Sequence, residues 1–116
     1  MKLSQVCEIL DAKTLVTGDM DAEVLTACGS DFMSDVLAFA KEQALLLTGL
    51  VNAQVIRTAD MMDMKAIAFV RGKTPNEDMI ALAQERGIVL LSTTKPMYIA
   101  CGQLYEAGLR GEAWRG

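Results

Sequence analysis

Histidine is absent from all 116 residues. The commonest general base and a principal metal ligand are therefore unavailable, and a serine- or cysteine-type triad loses its middle member. No apolar run approaches the 18 or more residues needed to cross a membrane, so the mean hydropathy of +0.26 reflects a core rather than a span. The three cysteines, Cys7, Cys28 and Cys101, are odd in number and far apart, with no Cys-x-x-Cys. They fit buried thiols in a reducing compartment better than a disulfide framework or a zinc site. The N-terminus Met1-Lys2-Leu3-Ser4-Gln5 has no signal-peptide core, and the expected location is cytoplasmic.

Basic charge is also short. With a net charge of −4 and a pI near 4.7, the surface lacks the positive potential that a general nucleic-acid binder needs to displace counterions. What the chain does have is 52% hydrophobic and 22% charged residues, enough to build one core in one domain over residues 1–110. The tail Gly111-Glu112-Ala113-Trp114-Arg115-Gly116 is expected to fray.

Gly72-Lys73-Thr74 ends like a phosphate-binding P-loop, but that motif needs a glycine five residues earlier, where Ile67 stands. The following Pro75 brings no N–H to an anion and suits a helix start. With Thr74 as N-cap, Pro75 at N1 and Glu77 at N3, the stretch reads as a capping box.

Three continuous apolar runs, Ala44–Leu47, Ala66–Val70 and Ile88–Leu91, read as strands buried on both faces of a parallel sheet. Helical segments from Val51 to Met64 and from Pro75 to Arg86, the latter stopped by Gly87, make two consecutive βαβ crossovers. Upstream, Ser4 and Ser34 are candidate helix caps, and Leu15-Val16-Thr17 and Val24–Ala27 read as weaker strands around Gly18-Asp19. A last helix is expected from Pro96 to Ala107, ended by Gly108. The fold class is α/β, a small mostly parallel sheet flanked by helices.

In such a sheet, ligands favour the crevice beyond the strand carboxyl ends. That edge offers Thr48 and Gly49 with Asn52 following, then Arg71, Gly72 and Lys73, then Ser92 and Thr93. Hydroxyls, glycines and basic side chains together suit a small anion or nucleotide; the competing reading is ordinary caps, turns and a solvated lysine. Arg57 faces either the crevice or a partner. Met61, Met62 and Met64 belong either to the core or to a homodimer interface. Asp19, Asp21, Glu23, Asp31 and Asp35 lack the spacing of a calcium loop and read as a solvated acidic face. No metal, cofactor or catalytic residue is assigned, since no acid, base or nucleophile stands at a recognisable spacing.

Taken in order, these residues resemble the DRTGG domain, a module related in fold to the N-terminal domain of HPr kinase. The resemblance rests on Phe32-Met33-Ser34-Asp35, Leu46-Leu47-Thr48 and the block from Phe69 to Thr93, "FVRGKTPNEDMIALAQERGIVLLST". The family's Asp-Arg falls at Val51-Asn52, and its Thr-Gly-Gly at Val70-Arg71-Gly72, of which Gly72 alone remains. The stretch Leu47–Lys73 is similar to short single-domain proteins found beside iron-only hydrogenase genes. The resemblance implies an HPr kinase N-terminal-domain-like fold and a regulatory, non-catalytic module. Its alternative is an interaction or assembly accessory for a redox enzyme such as an iron-only hydrogenase. The kinase activity itself is not implied, because the resemblance is to the N-terminal domain of HPr kinase and not to its catalytic domain, where the P-loop lies.

Overall fold

In chain order the elements are α1 (Leu3–Leu10), β1 (Lys13–Val16), β2 (Thr26–Gly29), α2 (Met33–Phe39), β3 (Ala44–Thr48), α3 (Ala53–Met61), β4 (Ala66–Phe69), α4 (Glu77–Arg86), β5 (Val89–Ser92) and α5 (Met97–Glu106). They are seen in a computed structural model that describes residues 1–41 and 43–110; the tail expected to fray lies outside the described residues. The sheet order is β1-β5-β4-β3-β2. β2 through β5 run parallel, and β1 joins β5 antiparallel, so the sheet is mostly parallel.

Every residue of β3, β4 and β5 is buried, as continuous apolar runs dictate when helices cover both faces. Alternation along each strand divides the core in two. Leu45, Leu47, Ala68 and Leu91 meet Leu3, Val6 and Leu10 of α1 and Ala100 and Leu104 of α5. Leu46, Ile67, Phe69 and Leu90 face the other way, toward Val36 of α2, Val55 and Ile56 of α3 and Met79 of α4. No helix among the described residues is long and apolar enough to cross a membrane.

Several element starts differ from those expected. α1 begins before Ser4, because the amides of Leu3 and Ser4 donate to the carbonyls of Ala22 and Met20 at 3.0 and 2.9 Å. Those acceptors replace a side-chain cap. α2 likewise opens at Met33 with Phe32 as cap residue, leaving Ser34 in the first turn. α4 is capped by Asn76 rather than Thr74: its Oδ1 accepts the Met79 N–H at 3.0 Å, and the buried Pro75 stays outside the helix. Gly87 does end this helix, in the left-handed conformation at φ 69° that a C′ position favours.

The weaker strands also moved. β1 starts at Lys13 and carries an irregularity between Thr14 and Val16. β2 lies two residues beyond the expected start at Val24. Val24 instead exchanges hydrogen bonds with Met1, its N–H reaching the Met1 carbonyl at 2.9 Å, and its side chain is buried. The methionine cluster divides: Met64 is buried and Met62 half-buried, whereas Met61 is 71% exposed. Arg57 is exposed on α3.

One buried hydroxyl, on Thr58 of α3, has no hydrogen-bond partner among the described residues. Leaving a polar group so placed costs about 1–3 kcal/mol. Thr58→Val is therefore expected to raise the unfolding free energy by about 1 kcal/mol, measured as a higher urea midpoint at unchanged slope.

Candidate functional site

The parallel strands deliver four loops to one edge, and Asp31, in the loop after β2, sits at their junction. Its Oδ1 accepts the Gly49 N–H at 2.7 Å and the Thr48 hydroxyl at 3.2 Å. Its Oδ2 receives the Arg71 guanidinium at 3.2 Å. One carboxylate thus joins the β2–α2 loop to the ends of β3 and β4. The Gly49 amide, then the Arg71 guanidinium and the Thr48 hydroxyl hold its pKa below the ordinary 3.8, against an opposing effect of burial. Thr48 is completed by the Leu50 N–H, which donates to its hydroxyl at 3.1 Å.

Two backbone features make this junction possible. At Gly49 a Cβ would run into the Arg71 guanidinium, so the absence of a side chain opens the path by which Arg71 reaches Asp31. Arg71 itself holds a left-handed conformation, φ 58°, uncommon for a non-glycine residue. The conformation is secured by its N–H on the Lys95 carbonyl and the Gly72 N–H on the Thr93 carbonyl, both at 2.9 Å.

The other expected site residues are placed differently. Asn52 caps α3, its Oδ1 accepting the Val55 N–H at 3.3 Å. The Ser92 hydroxyl donates to the Lys73 carbonyl at 2.9 Å, and the buried Thr93 hydroxyl donates to the Leu10 carbonyl at 2.7 Å. Lys95, a basic side chain that follows Thr93 and is not among those residues, reaches away from the edge, to the Ile9 carbonyl at 3.2 Å and Gln103 at 2.6 Å. Its charge therefore lies at the carboxyl end of α1, where the helix dipole favours a cation. The amides of Arg71, Gly72 and Lys73 all donate to carbonyls, so the Gly-Lys-Thr loop presents none of them as a phosphate cradle. The Lys73 side chain stays exposed beside it.

Of the eight residues expected at this edge, Thr48, Gly49 and Arg71 converge on one point. Asp31, which completes that point, read as part of an acidic face. The signal that would have found it was the carboxyl end of β2; placing that strand two residues early moved its end away from Asp31. The remaining acidic residues do not gather: among the described residues, no group of three or more Cys, Asp or Glu could hold a metal ion. Asp21 lies 3.9 Å from Lys2 instead.

A shallow groove of about 790 Å³ runs along α5, lined by Tyr98, Ile99, Cys101, Gly102, Tyr105 and Arg110 among others, and includes none of the converging residues. Burial pushes the Cys101 and Cys28 thiols above their ordinary range, which keeps them protonated near neutral pH and poor nucleophiles.

No family model matches the sequence, and neither does any curated protein. Among solved structures, the fold is similar to the CBS and DRTGG domains of the regulatory region of Clostridium perfringens pyrophosphatase, crystallised with its activator diadenosine tetraphosphate. The TM-score is 0.75 at 16% identity, over 89% of this chain and 45% of that one. This chain therefore spans less than half the length of that regulatory region. The likeness establishes the architecture: the fold is DRTGG-like.

Proposed function

We propose that this chain is a non-catalytic regulatory or ligand-sensing module that binds a small anion or nucleotide at the carboxyl ends of its strands. The observation that carries the reading is the convergence of the Thr48 hydroxyl, the Gly49 N–H and the Arg71 guanidinium on one set of carboxylate oxygens. Such donors serve a phosphate or a metabolite carboxylate equally well. The regulatory setting and nucleotide activator of the structural neighbour support the same reading. A non-catalytic role agrees with the ionisations: the carboxyl at the junction is made a weaker base, and the thiols raised by burial are not activated.

Thermal unfolding against adenine nucleotides, diadenosine tetraphosphate, inorganic phosphate and carboxylate metabolites tests this function. A ligand at about a hundred times its Kd adds about 2.7 kcal/mol, a shift of several degrees. The shift is expected for one class and is expected to disappear in Arg71→Ala. An equal shift in the variant removes the site assignment.

A second reading, interaction or assembly, is favoured by exposed apolar side chains. Phe32, Leu37 and Phe39 stand exposed in and beside α2, and Tyr98 and Tyr105 on α5. β2 between them is an edge strand. The occupant under this reading is a second copy or a protein partner, with an iron-only hydrogenase as the first redox enzyme to try on the strength of the sequence resemblance. Sedimentation that finds monomer at working concentration rules out a stable homodimer, whereas retention of one specific partner without any small ligand favours this reading over sensing.

A further inference from the structure

We propose that Asp31 is a built-in occupant of the anion site, which an incoming phosphate or carboxylate displaces, freeing the loop that leads into α2. The inference rests on the anion-binding reading above and adds how binding is regulated and where it is transmitted.

The donors come from one side and the acceptor from the other. Thr48, Gly49 and Arg71 belong to the ends of β3 and β4, which are anchored in the buried sheet. Asp31 belongs to the short connection between the edge strand β2 and α2. The Gly49 N–H and the Thr48 hydroxyl converge on one oxygen of this carboxylate while Arg71 takes the other, an arrangement that two oxygens of a phosphate reproduce. Two anions at one set of donors repel, so the site holds Asp31 or the ligand, not both.

Nothing buried retains Asp31 once its bonds are lost. Its side chain is 40% exposed, and the next residue, Phe32, is 71% exposed. Behind it, the Ser30 N–H still donates to the Leu47 carbonyl at 3.0 Å, so β2 stays paired; beyond it, the Ser30 hydroxyl accepts the Phe32 N–H at 3.0 Å, a bond within the loop itself that ties neither residue to the sheet. α2 is lightly held: it has seven residues, one fully buried side chain, Val36, and no side-chain cap. The exposed Phe39 and Leu37 lie on this same element. Ligand occupancy thus controls the placement of an apolar surface, which is how a sensor with no catalytic group passes on its state.

The test is titration calorimetry of the full chain with inorganic phosphate and with ADP, in the wild type, Asp31→Asn and Arg71→Ala. Asp31→Asn is expected to tighten binding by about tenfold or more, the size of one charge-assisted hydrogen bond. Arg71→Ala is expected to weaken it. If Arg71→Ala weakens binding but Asp31→Asn leaves it unchanged or weaker, the anion site stands and the displacement falls. If no anion binds wild type or Asp31→Asn, both readings fall. Hydrogen exchange of residues 33–39 in the wild type needs no variant: saturating phosphate is expected to speed exchange there, and unchanged or slower exchange overturns the proposal.

Discussion

Phe69→Ala is expected to lower the unfolding free energy by about 3–5 kcal/mol, the cost of emptying a fully buried aromatic site. Phe69 closes β4 at the centre of the sheet and is wholly buried, in one cluster with Leu46, Ile56, Met79 and Leu90. Strands packed on both sides cannot collapse onto the hole, because each neighbour is held by its own ladder. A domain whose whole stability is about 5–15 kcal/mol would lose much of it, with a Tm lower by more than about 10 °C. The matched control is Phe39→Ala. That ring is 73% exposed, so its removal should change stability by no more than about 0.5 kcal/mol. Urea unfolding of both variants checks the pair. A Phe69→Ala loss no larger than that of Phe39→Ala would place the core elsewhere.

Among the substitutions, Asp31→Asn has the second-largest expected effect on folding, and its signature is a change in pH dependence. The folded-state pKa of Asp31 is depressed below the ordinary 3.8, chiefly by the Gly49 amide. In the window between the two values the unfolded chain binds more protons, so stability rises with pH. The contribution is complete above the unfolded pKa and is lost as pH falls through the folded one. Hydrogen bonds to a charged group contribute about 1.5–3 kcal/mol when well shielded; with Asp31 and Arg71 at 40% and 42% exposure, about 1–2 kcal/mol is the reasonable size. Asp31→Asn should therefore cost about 1–2 kcal/mol at neutral pH and little at pH well below 3.8. Urea midpoints of both proteins across pH 2 to 7, on the scale of ordinary carboxylate titration, measure it directly. Parallel profiles would show that ionisation of Asp31 is not coupled to folding.

Both predictions concern the same sheet, yet they were not equally legible. The position of Phe69 follows from the run Ala66–Val70, because five consecutive apolar residues between two helical segments have no stable place except a strand buried on both faces. Gly87 was equally readable, since a left-handed stop requires little beyond glycine after the last helical turn. The starts of α1 and α2 were less so. The first amides of α1 are satisfied by the Ala22 and Met20 carbonyls rather than by Ser4, and the α2 cap residue Phe32 gives its N–H to Ser30 rather than being replaced by Ser34; no local rule selects among such acceptors. The choice between Thr74 and Asn76 as cap of α4 was closer, because both residue types cap well and Pro75 is at home in the first turn that a Thr74 cap would open; the fold instead leaves Pro75 buried outside the helix.

The sequence by itself determined the three central strands, their helical crossovers and the exclusion of a P-loop, because each depends on residue type at short spacing. The tertiary structure alone decided that β1 joins antiparallel, that Val24 pairs with Met1 and leaves β2 to begin at Thr26, and that Asp31 meets Arg71 across 40 positions of chain. The physical reason is the range of the interactions. Burial of an apolar run is encoded in the run, whereas the partner of a polar group is chosen by which distant strand ends the fold brings together.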